Sequence, residues 1–355
     1  MKHPSPRLPL IDTLKALASQ LIVLHHLAFY GPMSDAALPL APDTISWLYD
    51  YARMAVQVFL VLAGFLAARS LAPAALPRAI EPARLIWQRY CRLALPLAVA
   101  LLFSVLSAAV ARQLLTHDTI PAAPTLWRLL SHALLLQGLL GQDSLSAGVW
   151  YIAIDFQLFV MLCLILGFVG KLANPARVAL WLVASLVAAS LLYFNLHSEW
   201  DNWGLYFFGA YGLGVIAQWC SRHRHGNLWL LVLVALGGIA LVFEFRPRIA
   251  LAFSTALLLT LGARHAWLER WPDFRITAWL GKISYSVFLI HFPVCMLINA
   301  LVSRFMPDSQ GANLCAMLAA WLLSTLAGHF FYHKVESGTI QQKTGRALRL
   351  AFKGN

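Results

Sequence analysis

The chain is 355 residues long, 60% of them hydrophobic and only 12% charged, with a mean hydropathy of +0.69. That composition leaves too little polar surface for a water-soluble globule and points to an all-α polytopic membrane protein. The net charge of +12 does not indicate nucleic acid, because the basic residues are scattered between apolar runs and not gathered in one patch.

The first apolar run, "IDTLKALASQLIVLHHLAFYG" (11–31), is a full span and not a short signal-peptide core, so no removable leader is expected. A helical span needs roughly 20 apolar residues. On that measure about ten spans follow one another, near 10–30, 52–71, 91–111, 149–170, 177–196, 203–220, 228–244, 249–264, 277–302 and 313–332. With the N-terminus inside, only Arg53, Arg112, Arg128, Arg246, Arg248 and Arg304 fall outside, which leaves 21 of the 27 Lys and Arg on the inner side. This asymmetry makes both termini cytoplasmic.

Between the spans, "LWRLLSHALLLQGLLG" (126–141) is short and broken by Arg128 and His132, and suits an interfacial or re-entrant helix on the outer face. The Pro-punctuated 71–92 reads as the longest inner loop. The organisation is one membrane domain, 1–336, with a basic cytoplasmic tail, 337–355. The five cysteines, Cys91, Cys163, Cys220, Cys295 and Cys315, show no close pair, so neither a disulfide framework nor a metal site is expected.

Ionisable groups at membrane depth cost several kcal/mol unless they face a polar interior, which makes each a functional-site hypothesis. On a helix, Lys15 and His26 lie roughly 20° apart in azimuth and about 16 Å apart along the axis. They share a face; His25 points about 100° away, and Asp12 sits at i,i−3 from Lys15, a pairing distance. Farther on, "GVWYIAIDFQLFVMLCLIL" (148–166) carries Asp155 about two turns below its outer end, followed by Gln157. "LGKISYSVFLIHFPV" (280–294) carries Ser284, Tyr285, Ser286 and His291 toward the outer half. Arg89 and Arg92 stand one turn apart at the inner end of the third span, where forked guanidinium groups suit phosphate.

These segments resemble the integral-membrane acyltransferases of the acyltransferase-3 family, which O-acylate bacterial surface glycans and related acceptors. The family's opening L-D-G-L-R-A-L-A helix, with a His eleven residues after the Arg, is similar to "IDTLKALASQLIVLHH", with Lys15 at the Arg position and His26 at the His. Its second helix resembles "AVQVFLVLAGF" (55–65), with Gln57 in place of an acid and Ala63 in place of Ser. The R-x-x-R that leads into the third helix is matched by Arg89 and Arg92. "WYIAIDFQLF" (150–159) follows a W-S-L-x-x-E-x-Q-F-Y block with Asp155 for Glu, and the 280–294 and "FFYHKVE" (330–336) segments follow the last two blocks. All run in family order.

The resemblance implies an acyl-CoA co-substrate on the cytoplasmic side, acetyl-CoA first among them, with no permanently bound cofactor. It implies a glycan or other hydroxylated acceptor on the periplasmic side and a place in the bacterial inner membrane among its lipids. On this reading His26 is the general base, since a neutral imidazole with an ordinary pKa of ~6.5 takes a proton where a carboxylate is too weak a base. Asp155 orients it or its partner, and Lys15 assists the donor or holds Asp12. Arg89 and Arg92 hold the CoA phosphates, while Trp150, Gln157, Ser284, Tyr285 and His291 contact substrate. The rival from bare physics is a transporter or flippase that passes a proton or lipid-linked sugar along the same polar stripe.

Overall fold

The computed structural model describes residues 7–77, 81–223 and 225–337. The basic tail from 338 onward, and 78–80 of the inner loop, lie outside the described residues. Those described are helical, in the order α1 (Pro9–Phe29), α2 (Met33–Ala37), α3 (Pro42–Asp50), α4 (Ala55–Leu71), α5 (Pro82–Leu114), α6 (Leu126–Ala133), α7 (Val149–Val169), α8 (Pro175–Leu192), α9 (Gly204–Arg222), α10 (Gly226–Phe243), α11 (Pro247–Arg264), α12 (Trp267–Arg270), α13 (Arg275–Phe305) and α14 (Gln310–Phe331). Proline opens α3, α5, α8 and α11, where its missing N–H is one the helix could not have bonded anyway. Thr125 and Ser309 cap α6 and α14 by accepting from the Arg128 and Ala312 amides.

Seven helical stretches among the described residues are long and apolar enough to cross a membrane: Pro42–Leu71, Pro82–Leu114, Val149–Val169, Pro175–Leu196, Gly226–Phe243, Arg275–Phe305 and Gln310–Glu336. The other three expected spans are helices too, α1, α9 and α11, but fall outside this group. The reasons differ. Helix α1 carries Asp12, Lys15, His25 and His26, whereas α9 is buried along its whole length from Tyr206 to Cys220, so it has little lipid to match. The expected span at 52–71 also begins earlier: α3 and a 3₁₀ turn, Ala52–Met54, lead into α4.

Two compact units divide the chain. One holds the described residues of Met1–Ala18, Met54–Tyr90 and Tyr151–Ala278. Its centre is α9, packed by α4, α8, α10 and α11. Without a hydrophobic drive between helices in lipid, close backbone approach supplies the attraction, and small residues permit it. A Cβ on Gly64 of α4 would strike the Tyr211 carbonyl of α9, and one on Gly214 of α9 would strike the Val61 carbonyl of α4. The approach is reciprocal. At one end, Arg246 donates to Asn195 Oδ1 (2.7 Å) and to the Leu191 carbonyl (2.8 Å), which brings the 193–203 and 244–248 loops together as the alternation of spans requires. Trp219, fully buried, donates to the Ala72 carbonyl at 2.8 Å.

The second unit holds the described residues of Ser19–Arg53, Cys91–Trp150 and Trp279–Asn355. Val23 and Leu27 of α1, Met33 of α2, Ile283, Val287 and Cys295 of α13, and Met317 and Ala320 of α14 form its core. Gln20 of α1 accepts from Trp321 (2.8 Å) and Thr325 (3.2 Å) of α14. Asn299 pins the turn after α1: its amide donates to the Gly31 carbonyl (2.9 Å) and its oxygen accepts from the Met33 amide (3.0 Å).

The segment read as interfacial is the eight-residue α6 followed by turns. Buried side chains hold it. Arg128 donates to the Asp143 (2.7 Å) and Ser144 (3.1 Å) carbonyls, and Ser104 to the Leu145 carbonyl (2.6 Å). His132 donates through Nδ1 to the Arg128 carbonyl (2.7 Å) and accepts the Leu145 amide through Nε2 (3.1 Å).

Candidate functional site

Two buried polar centres stand out, one in each unit. In the second unit, His26 Nδ1 lies 2.6 Å from His291 Nε2. The rings are 4° from coplanar with centroids 4.9 Å apart, so with nitrogens this close they meet edge to edge and do not overlap face to face. His291 Nδ1 faces the Phe288 (2.8 Å) and Val287 (3.1 Å) carbonyls. Carbonyl oxygens only accept, which makes His291 Nδ1 the protonated nitrogen and leaves its Nε2 a lone pair. In the neutral pair, His26 must then donate through Nδ1. The lone pair of His26 therefore sits on Nε2.

Among the described residues nothing hydrogen-bonds that Nε2, nor is it sealed away from contact. His26 lines a narrow cavity with Tyr30, Thr119, Phe292, Cys295, Met296 and Asn299. Its ≈ 10 Å³ of open volume is room for about one water. A base with a fixed tautomer next to a small partly polar space can take a proton from a hydroxyl.

In the first unit, Arg89 Nη2 and Asp155 Oδ2 form an ion pair of 2.5 Å, with side chains 27% and 7% exposed. The guanidinium also stands over the Phe159 ring at 5.3 Å. This pairing joins two residues whose backbones the sequence puts at different depths, Arg89 at the inner end of its span and Asp155 in the outer half. Pro82 packs where a Cβ of Gly167 would lie, so α5 begins beside the inner end of α7. From there Arg89 is seven residues up, about 10 Å, and Asp155 twelve, about 18 Å. The long arginine side chain reaches outward over that difference.

The structure thus gives Asp155 and His26 partners other than each other: Asp155 binds Arg89, and His26 binds His291. Arg89 spends one fork of its guanidinium on a carboxylate; Arg92 is exposed. Lys15 is half-buried on α1, and the Asp12 carboxylate one turn before it accepts from Arg7 (2.9 Å), which also reaches Asp273 (3.0 Å).

Four expected substrate contacts are engaged within the protein. Gln157 accepts the Gly204 amide (2.7 Å) and donates to the Asn202 carbonyl (3.3 Å), which fixes the start of α9. Ser284 donates back to the Gly281 carbonyl (3.0 Å) and Tyr285 to the Leu93 carbonyl (3.2 Å). His291 is the partner of the base. Ser286, a conceivable nucleophile, donates to Glu336 at 2.6 Å. Trp150, at the start of α7, is 37% exposed.

Sequence reading missed Tyr211, fully buried in α9 within electrostatic reach of Arg89 and Asp155. Its one signal is its place among the α9 glycines, Gly209, Gly212 and Gly214. No curated protein and no solved structure matches this chain. The family described as "Acyltransferase domain" (Acyl_transf_3) matches residues 8–332, a stretch that includes both polar centres and every described helix through α14. The protein therefore belongs to the acyltransferase-3 family of membrane acyltransferases.

Proposed function

We propose that this protein moves an acyl group, acetyl in the first instance, from cytoplasmic acyl-CoA to a hydroxyl of a periplasmic or cell-surface glycan in a bacterial inner membrane. His26 is the general base. The observation that carries this reading is the lone pair left on Nε2 of His26 by the edge-to-edge bond to His291, on a residue that lines a cavity.

In the transfer, His26 Nε2 takes the acceptor's hydroxyl proton as the oxygen attacks the thioester carbonyl. The C–S bond then breaks, the acyl group stays on the acceptor oxygen, and the CoA thiolate leaves with the proton from the imidazolium. His291 serves the charged intermediate state because its Nε2 lone pair remains on the Nδ1 proton of His26. This is the part a carboxylate plays in hydrolase triads. General-base catalysis of this kind contributes about 10²–10⁴-fold. Direct transfer is preferred to an acyl-serine, since Ser284 and Ser286 both donate to internal oxygens.

Arg92, exposed near the start of α5, is the better placed of the two arginines for a CoA phosphate, because Arg89 is already neutralised. Lys15 adds positive charge to the donor's side. Mass spectrometry of glycan fractions from cells with and without the gene tests the reading. An added acyl mass that depends on the gene supports it, and glycans of unchanged mass moved across the membrane support a transporter instead.

A further inference from the structure

The cavity lined by His26 has two facing walls. Helix α13 supplies Phe292, Met296 and Asn299, spaced i, i+4 and i+7 on one face, while α1 and the turn into α2 supply His26, Leu27 and Met33. Asn299 fixes the gap between the walls. Its amide donates to the Tyr30 (3.1 Å) and Gly31 (2.9 Å) carbonyls, and its oxygen accepts the Met33 amide (3.0 Å). The side chains of the walls are held as well: Phe292 meets the Tyr30 ring edge on with centroids 5.1 Å apart, and Met296, buried, packs in one cluster with Ala108 and Ala111 of α5. Close-packed side chains of this kind leave little room for a guest to make its own space.

The polar groups of the lining are largely spent on the protein itself. Asn299 uses both amide hydrogens and its oxygen on the bonds above, the Thr119 hydroxyl pairs with His117 Nδ1 (2.9 Å), and the Cys295 thiol lies 3.5 Å from the Ser324 hydroxyl. Among the described residues, that leaves His26 Nε2 and the Tyr30 hydroxyl to meet a guest. Apolar side chains, Leu27, Met33, Phe292 and Met296, make up most of the remaining wall. A resident water asks for about two to four polar partners, so this lining is better matched by a small apolar group whose polar atoms turn toward His26. The space of about 10 Å³ is partly open to its surroundings, and it admits one methyl-sized group but not two.

We propose that this cavity holds the methyl of the donor's acetyl group, and that Met296, Leu27 and Phe292 set the length of acyl chain the enzyme transfers. This rests on the acyl-CoA reading above, with His26 as base, and adds the residues that select the acyl group. The bonds that form and break are those of the transfer already described, and the methyl takes part only by fitting. In the tetrahedral transition state the methyl and the attacking oxygen share one carbon, so a methyl seated here keeps the acceptor oxygen close to the imidazole. A propionyl donor brings a second carbon into a space already filled. It must then displace packed side chains or draw the reacting carbon away from His26, and either lowers its kcat/KM relative to acetyl.

The test is a competition among equimolar acetyl-, propionyl- and butyryl-CoA for the full chain in lipid nanodiscs. The acceptor is the glycan fraction of cells lacking the gene, and the readout is the mass of the acyl group added. The product ratio reports the ratio of kcat/KM values, which does not depend on the share of protein that is folded. Wild type should favour acetyl over propionyl by at least about tenfold, and over butyryl by more. Met296→Ala enlarges the cavity and should bring propionyl to within about twofold of acetyl. Leu27→Ala, on the facing wall, should shift the ratio in the same direction, and it carries the test if Met296→Ala gives no active protein. A wild type that transfers all three donors alike overturns the inference. So does an active Met296→Ala or Leu27→Ala with the wild-type ratio, because a water or part of the acceptor then fills the cavity. If wild type transfers no acyl group from any of the three, the acyl-CoA reading itself fails and this inference falls with it.

Discussion

His26 and His291, 265 residues apart in the chain, meet nitrogen to nitrogen at 2.6 Å in nearly one plane. The carbonyls of Val287 and Phe288 decide which nitrogen of each ring carries the proton. His291→Gln keeps an acceptor oxygen for the Nδ1 proton of His26, whereas His291→Ala removes it and frees the tautomer. The alanine variant should lose on the order of 10²-fold in kcat, within the range general-base catalysis supplies, and the glutamine variant should recover most of it. Nitrogen NMR of labelled imidazoles gives a second readout: His26 is protonated at Nδ1 in wild type and in His291→Gln, and loses that preference in His291→Ala.

Asp155 is the only acid within salt-bridge distance of Arg89 among the described residues. Asp155→Ala leaves a partly buried cation uncompensated, and thermal or denaturant unfolding in nanodiscs should show a loss of about 3–5 kcal/mol. Replacing both partners, Asp155→Asn with Arg89→Gln, removes the unpaired charge and should restore most of that stability. Equal losses in the single and double variants would mean that the pair is not what stabilises this unit.

The reciprocal approach of α4 and α9 sets up a contrast between glycines. Gly64→Ala puts a methyl into the Tyr211 carbonyl, and the resulting shift should cost about 1–3 kcal/mol. Gly238, on α10, has nothing within 4 Å of an added Cβ, so Gly238→Ala should be neutral or gain about 0.5–1 kcal/mol from helix propensity. Melting temperatures of the two variants, side by side, read the difference.

His132 ties α6 to the Leu145 amide as a neutral ring, and burial, with the nearby Arg128 charge, lowers its pKa from 6.5. Its folded pKa lies below its unfolded one, so its contribution to stability is complete above pH 6.5 and is lost as pH falls from there through the lowered folded value. Once protonated, Nε2 can no longer accept the Leu145 amide. The protection factor of the Leu145 amide against hydrogen exchange, which removes the intrinsic pH dependence of exchange, should therefore fall as pH drops below 6.5 in wild type, while His132→Gln, which keeps an acceptor and does not titrate, should show a protection factor independent of pH over the same range.

The helices were legible in the sequence because lipid imposes one length and one polarity on nearly every span, as the match of 149–170 to Val149–Val169 and of 313–332 to Gln310–Phe331 illustrates. His26 was legible because a histidine at membrane depth on the Lys15 face is costly without a purpose. Its partner was not. Periodicity gives the faces of one helix and says nothing about which residue of another helix will face them, so sequence alone sets His291 against substrate and Asp155 against His26 or its partner. The reach of Arg89 up to Asp155 escaped notice for a related reason: a span ruler locates the Cα and not the end of a long side chain. Tyr211 was hidden by its neighbours, since a tyrosine among glycines in an apolar helix reads as packing.

The central claim is that His26 Nε2 takes the acceptor's proton. The most direct measurement is the rate of labelled acetyl transfer from acetyl-CoA by purified His26→Ala, with folding and CoA binding checked on the same sample. The account predicts that transfer falls by at least about 10²-fold while the melting temperature and CoA affinity stay near wild type. A folded, CoA-binding His26→Ala that transfers at close to the wild-type rate would contradict it.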